Sequence, residues 1–272
     1  MKKNRSFYFD MDGTLTRHRM QIKPFMIKKL MKLSDYGKIN VISGSKSEDI
    51  FYQLEPLFTS LSDMHLNRIS LMPCNGTKLF FFHSDRREWL PMHVVDMSNR
   101  LDLQFLYRAI IKCQHMILSS NDYLGAVSIS PDFIDYRGSL INWCPIGRSA
   151  TISQRNKFIE LDKEKNIRDY MRNLLQSLLL PHRQLFDDIE IAKGGQTSLD
   201  MYPLGWDKTY GLRHFSSDDH WFIGDACKEG QNDHQIYQNV KNKNGQAFET
   251  SGPIHTGKII DEIIVKIKNK EN

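Results

Sequence analysis

Phe7 to Thr16 reads FYFDMDGTLT. Ser6 to Phe9 has strand character, and it runs directly into Asp10 and Asp12, one residue apart, followed by Gly13 and Thr14. Like charges this close repel, and burying either carboxylate costs several kcal/mol unless something neutralises it. A plain turn after a strand uses the same residue types. The residues beyond Thr16 separate the two readings.

Lys23 to Tyr36 carries Phe25, Met26, Leu30, Met31 and Leu33 at helical spacing, with Pro24 early and Gly37 at the end. Lys38 to Ile42 (KINVI) is a short apolar run that reads as the next parallel strand. Ser45-Lys46-Ser47-Glu48 has the form of a capping box, which predicts a helix from there to about Pro56. This β-α-β-α order predicts an α/β fold with a doubly wound, Rossmann-like parallel sheet. Ligands in such sheets bind beyond the carboxyl ends of the strands, where Asp10 and Ser43 both fall.

From about Arg86 to Pro203 the rhythm changes. Asp135 to Trp143 and Asp188 to Ala192 have strand character, and Ile167, Tyr170, Met171, Leu174, Leu175 and Leu178 form an amphipathic stripe that reads as packing. The expectation is an inserted α+β cap domain over residues 85–204, with 1–84 and 205–272 forming the core. The doubly wound pattern returns at Trp221 to Gly224, which ends in Asp225, and continues with Gln246 to Glu249 and a closing helix from about Thr256.

The 272 residues are enough for a sizeable core, and 40% hydrophobic with 25% charged residues is ordinary globular composition. No apolar run approaches the ~20 residues that span a bilayer, and the N-terminus lacks a signal-peptide apolar core. An intracellular, cytoplasmic protein with no membrane partner is expected. Cys74, Cys113, Cys144 and Cys227 form no CxxC pair, which indicates neither a zinc site nor a disulfide framework. The net charge of +5 is dispersed without a Lys/Arg block. That argues against nucleic acid and suits an enzyme that holds small anions.

Lys208 lies in GWDKTYGL, Asp225 opens the stretch that ends in Asn232 and Asp233 (GDACKEGQND), and Ser43 lies in ISGS. Singly these are a surface lysine, a turn aspartate and a strand-end hydroxyl. In this order, each after a strand or opening a helix, they compose a phosphoryl-transfer site. Asp10 can attack phosphorus and form an acyl phosphate. Mg²⁺ on Asp10, Asp225 and Asp233 would cancel the repulsion between two anions. Lys208 adds a point charge, and Ser43 can hydrogen-bond a phosphoryl oxygen. Asp12 stays free for general acid–base work.

Together these pieces resemble the four motifs of the haloacid dehalogenase superfamily: DxDGT, a Ser or Thr after the second strand, a Lys, and GDxxxxxND. Two further blocks, Arg137 to Arg155 (RGSLINWCPIGRSATISQR) with the following ELDKEKNIR, and Gly194 to Leu212 (GGQTSLDMYPLGWDKTYGL), are similar to the eukaryotic-type phosphomannomutases. The likeness covers most of the chain and is weakest over residues 57–130 and after 238. It implies a cap inserted between the second and third motifs, and a metal site drawn from Asp10, Asp12, Asp225, Asn232 and Asp233. It also leaves two candidates for the second-motif hydroxyl. Ser43 matches relatives with TGR or SGR, Ser45 matches the closer ones, and Ser45 also suits a helix cap.

For the sugar phosphate the resemblance implies Arg19, Arg137, Asn142, Arg148, Arg155, Ser198 and Asp200. The chemistry agrees: forked guanidinium groups suit a phosphate that is not being transferred, and Ser and Asp suit sugar hydroxyls. The activity implied is interconversion of mannose 6-phosphate and mannose 1-phosphate through an aspartyl phosphate and a hexose 1,6-bisphosphate. Mg²⁺ is the implied cofactor, the bisphosphate the activator, and GDP-mannose biosynthesis the implied destination. The alternative is a Mg²⁺-dependent sugar-phosphate phosphatase on the same scaffold. Family members commonly form a homodimer through the cap, which the weak match at the start of the cap leaves open here. Departures from the family pattern are Gln231 and Lys228-Glu229 in the metal loop, where Gln231 is strained if it takes positive φ. Trp143 and Cys144 are further departures, expected beside the sugar.

Overall fold

The computed structural model describes residues 4–120, 128–182, 189–217 and 219–271. In chain order the elements are β1 (Arg5–Phe9), α1 (Pro24–Ser34), β2 (Lys38–Ile42), α2 (Ser47–Ser60), α3 (Asp63–Leu66), β3 (Ile69–Met72), β4 (Lys78–His83) and β5 (Glu88–Val94). They continue with α4 (Leu103–Ser119), β6 (Ile134–Tyr136), β7 (Ile141–Trp143), α5 (Ile152–Lys165), α6 (Ile167–Leu179), β8 (Ile189–Gly194) and β9 (Ser198–Pro203). The last elements are β10 (Asp219–Gly224), α7 (His234–Asn242), β11 (Gln246–Glu249) and α8 (Pro253–Glu271). The chain divides into two units, Met1–Val94 with Gly205–Asn272, and Val95–Leu204.

The first unit is built on a seven-stranded sheet of order β11-β10-β1-β2-β3-β4-β5. β11 through β3 pair in parallel, while β4 and β5 add an antiparallel hairpin. β1 is buried along its whole length, as a strand covered on both faces must be. Alternation then sorts its side chains. Phe7 and Phe9 join Val41, Leu71, Ile223 and the apolar faces of α1, α2 and α8 on one side of the sheet. Tyr8 joins Ile42, Met72, Phe222 and α7 on the other. The α/β class and the doubly wound core expected from the sequence are borne out.

The second unit holds a four-stranded antiparallel sheet of order β6-β7-β9-β8. Asp135 pairs with Asn142, Asn142 with Asp200, and Asp200 with Ala192, so these residues form one row across one face. Ile141, Trp143, Leu199 and Met201 alternate to the opposite face and are buried.

Four expectations need correction. The boundary at 84/85 moves to Val94/Val95, because β5 completes a hairpin with β4 in the main sheet. Asp135 to Trp143 is not one strand but two, β6 and β7, joined by a turn in which Gly138 takes φ 87°. Gly194 ends the next strand, β8, and Asp188 lies outside the described residues. Finally, α2 neither begins at a Ser45 cap nor stops at Pro56. Lys46 is its N-cap, and the helix continues through Pro56 to Ser60. Pro56 supplies no N–H to the carbonyl of Tyr52 one turn back. Gln21 Nε2 donates to that carbonyl instead, at 3.3 Å. Among the described residues no helix is long and apolar enough to cross a membrane.

Candidate active site

Asp10 follows directly on β1, and its N–H donates to Ile223 O of β10 at 3.0 Å. Lys208 opens a 3₁₀ turn, Lys208–His214, capped by Asp207, whose side chain accepts from Thr209 N at 2.6 Å. The Lys208 ammonium donates to Asp10 Oδ1 and to Asp233 Oδ1, each at 2.5 Å. Asp10, Lys208 and Asp233 are only 4%, 1% and 0% exposed. Asp225 is half-buried beyond the end of β10, and the carboxylates of Asp10, Asp225 and Asp233 lie within 4.8 Å of one another.

One ammonium among these carboxylates leaves the group short of positive charge. Burial, and then the charges of Asp233 and Asp225, push the Asp10 carboxyl well above its ordinary value, against the pull of Lys208. Burial, and then Asp233, likewise raise Asp225. For Lys208 burial works against the charged form, but Asp10 and Asp233 outweigh it and hold the ammonium above its usual range. Asp10 Oδ2 is buried without a hydrogen-bond partner. Closely grouped hard oxygens, one of them unserved, fit a divalent cation such as Mg²⁺.

The loop that carries Asp233 is closed by reciprocal bonds: Asp233 N donates to Ala226 O at 3.0 Å, and Asp233 Oδ2 accepts from Ala226 N at 3.1 Å. Gln231 is not strained. Positive φ falls on Gly230, at 78°, while Gln231 Oε1 accepts from Lys228 N at 2.9 Å and tightens the turn. Gly13 is required: it has φ +90°, and a Cβ there would lie 2.3 Å from Asp225 Oδ2.

Asp12 stands outside the carboxylate trio. Its Oδ1 accepts from Arg19 N at 2.7 Å. Arg19 has φ 60° and an exposed side chain in the same loop. Asn232 is half-buried beside Asp233 in the chain. Ser43 is buried at the carboxyl end of β2, and its Oγ accepts from Ser45 N at 3.1 Å, which leaves the hydroxyl proton available to a ligand. Ser45 is half-buried, and its carbonyl accepts from Cys74 N at 2.9 Å.

In the second unit the polar row of the sheet gathers the remaining candidates. Asn142 Nδ2 donates to Ser198 Oγ at 2.8 Å and to Asp200 Oδ1 at 2.6 Å, and Asn142 Oδ1 accepts from Arg148 Nη1 at 3.2 Å. Arg137 Nε and Arg148 Nε both approach Asp135 Oδ2, at 3.1 and 3.5 Å. Arg155 lies nearby: its Nη1 donates to Thr197 Oγ1 at 2.8 Å and its Nη2 to Arg148 O at 2.7 Å. Burial raises the Asp200 carboxyl, with Arg137 the main opposing influence. This is a preorganised array of guanidinium, amide, hydroxyl and carboxylate groups, suited to an anion that also carries hydroxyls.

Trp143 is not part of the array. It faces the other side of the sheet, where its Nε1 donates to Gln114 Oε1 of α4 at 2.7 Å. Cys144 is buried beside Thr197, with Sγ 3.5 Å from its hydroxyl. Sequence reasoning missed Asp135, Thr197 and Gln53. Asp135 was legible only as a strand residue, because strand pairing is what sets it beside two arginines.

A family model described as eukaryotic phosphomannomutase matches residues 103–266. The chain is 29% identical over 269 residues to the phosphomannomutase of Encephalitozoon cuniculi, covering 96% of this chain and 94% of that one. It is 30% identical over 234 residues to the phosphomannomutase of Solanum lycopersicum, covering 86% and 84%. Among solved structures, the N-terminally truncated, IMP-bound IMP-nucleotidase of Plasmodium falciparum is similar in fold, with TM-score 0.61 at 15% identity over 96% of this chain and 68% of that one. The chain therefore belongs to the eukaryotic phosphomannomutase family and is an enzyme of that family.

Proposed function

We propose that this enzyme is a Mg²⁺-dependent phosphomannomutase that interconverts mannose 6-phosphate and mannose 1-phosphate through a phosphorylated Asp10 and a hexose 1,6-bisphosphate. The observation that carries the reading is the buried Asp10 carboxylate, one oxygen fixed by Lys208 and the other without a partner, beside Asp225 and Asp233. Asp10, Asp225 and Asp233 would hold the cation, with Asn232 as a further ligand the family pattern implies, while Asp12, outside that trio, keeps its carboxylate for proton transfer. When bound, it would supply the positive charge that lets one anion approach another.

The remaining steps belong to the chain's own residues. An Asp10 oxygen attacks phosphorus of the bisphosphate, the bond from phosphorus to the sugar oxygen breaks, and Asp12 gives that oxygen its proton. In the return step Asp12 takes a proton from the sugar hydroxyl that attacks the aspartyl phosphate, and the Asp10 carboxylate leaves. Lys208 keeps the Asp10 oxygen oriented throughout, and Ser43 or Ser45 offers a donor to the transferring phosphoryl group. Arg19, Arg137, Arg148 and Arg155 grip the phosphate that is not reacting, while Asn142, Ser198 and Asp200 meet the sugar. The first unit is thus read as catalytic core and the second as cap.

The same reading carries the bisphosphate as activator, a cytoplasmic location, a homodimer through the second unit, and mannose 1-phosphate supplied to GDP-mannose synthesis. The test is incubation with Mg²⁺, mannose 1-phosphate and trace glucose 1,6-bisphosphate, followed by phosphorus NMR. Mannose 6-phosphate should dominate. Free phosphate as the main product would instead identify a sugar-phosphate phosphatase.

A further inference from the structure

α2 carries a polar side chain to which the proposed mechanism assigns no role. Gln53 is 2% exposed. Its main-chain carbonyl accepts from Ile22 N at 2.8 Å, at the far end of the loop that begins with the two aspartates. Its side-chain amide sits inside that loop, and a proton count fixes its orientation. Thr16 Oγ1 lies 3.1 Å from Met11 O and 2.8 Å from the Gln53 amide, and a hydroxyl has one proton to give. The same amide atom also lies 3.2 Å from Met20 O and 3.2 Å from Asp12 Oδ1. Neither a carbonyl nor a carboxylate has a proton to give an amide oxygen, so the amide must present its nitrogen on this side. Gln53 Nε2 then donates among Thr16 Oγ1 at 2.8 Å, Met20 O at 3.2 Å and Asp12 Oδ1 at 3.2 Å.

We infer that Gln53 is a positioning residue for Asp12, holding its carboxylate in place beside the acidic centre. The loop does not need this amide to keep its shape. Gly13 N donates to Thr16 O at 2.8 Å, and Leu15 N and Thr16 N each donate to Met11 O at 3.0 Å. An apolar side chain of the same size would fill the space equally well. What an apolar side chain lacks is a donor aimed at the carboxylate. Arg19 N binds Asp12 Oδ1 from the exposed side of the loop, whereas Gln53 reaches the same oxygen from a helix packed into the core. A group that must give and take a proton at a fixed point gains from such an anchor, since small displacements of a catalytic group are costly. The inference rests on the acid–base role proposed for Asp12.

The test is a double-mutant cycle in the full-length protein with Mg²⁺, assayed as mannose 1-phosphate isomerisation, with the variants Gln53→Met, Asp12→Asn and the pair. Gln53→Met keeps the volume and removes the donor. It should lower kcat by roughly 10- to 100-fold, as expected for a lost hydrogen bond to a charged group, and leave KM within about twofold. The same substitution should cost nothing further in an Asp12→Asn background. Retention of kcat within about twofold by Gln53→Met, or an equal loss in both backgrounds, would overturn the inference. Should Gln53→Met not yield folded protein by circular dichroism, Gln53→Glu, which cannot donate when ionised, takes its place in the same cycle. An Asp12→Asn variant with unimpaired turnover would remove the acid–base reading itself, so the two failures are distinguishable.

Discussion

At the scale of the residue, the protein keeps a lysine and two aspartates almost wholly out of water, and each is tolerated only because of the others. Removing one member strands the rest. Lys208→Met leaves Asp10 and Asp233 facing each other without a cation, a change that costs roughly 3–5 kcal/mol in comparable buried pairs. The expected result is a lower thermal midpoint in metal-free buffer, together with loss of isomerase activity; an unchanged melt would show that the ammonium is not what holds the carboxylates. Asp225→Asn tests the cation separately. Mg²⁺ at roughly a hundredfold excess over its Kd should stabilise the parent by about 2.7 kcal/mol. In the variant the shift should shrink severalfold, read by calorimetry with and without chelator. Asp10, Lys208, Asp225 and Asp233 were legible in the sequence because each sits where a strand ends or a short helix begins. Gln53 and Asp135 were not, because neither spacing nor composition shows which side chain a buried amide or a paired strand will meet.

At the scale of the element, local chemistry set most boundaries and tertiary contact overrode it in a few places. Pro24, Gly37 and the apolar run KINVI marked α1 and β2 to within a few residues. The same rules misjudged α2, because Pro56 reads as a stop. The helix passes through it, and Gln21 donates to the carbonyl that the proline leaves without its usual partner. The junction of α5 and α6 is a cleaner case. Asn166 takes φ 51° and ψ 44°, closing the first helix through its N–H to Asp162 O at 2.9 Å and opening the second. Asparagine tolerates this conformation, glycine adopts it freely, and a β-branched residue does not. Asn166→Val should therefore destabilise by about 1–2 kcal/mol while Asn166→Gly stays near neutral. Urea melts of the two variants would decide it, and equal midpoints would mean that the left-handed turn carries no such cost.

At the scale of the whole molecule, the proposed function assigns chemistry and recognition to different units. The carboxylates and Lys208 belong to the unit formed by the two ends of the chain, and the row of Asp135, Asn142 and Asp200 with Arg137 and Arg148 belongs to the middle one. The sequence showed this division through the return of the doubly wound pattern at Trp221, but it put the first crossing point too early because β4 and β5 lack any parallel-strand signature. A division of this kind makes the two activities separable. On that assignment, phosphorylation of Asp10 by a small donor such as acetyl phosphate should draw only on the acidic centre, whereas isomerisation should also draw on the groups proposed to hold a second phosphate. Arg137→Ala should then lower isomerisation by roughly 10- to 150-fold, the span expected for lost hydrogen bonds to a charged group. Its rate of phosphorylation by acetyl phosphate, read by quenched-flow trapping of the acyl phosphate, should stay within about threefold of the parent. Equal losses in both assays would mean that Arg137 supports the fold of the enzyme and not the grip on its substrate.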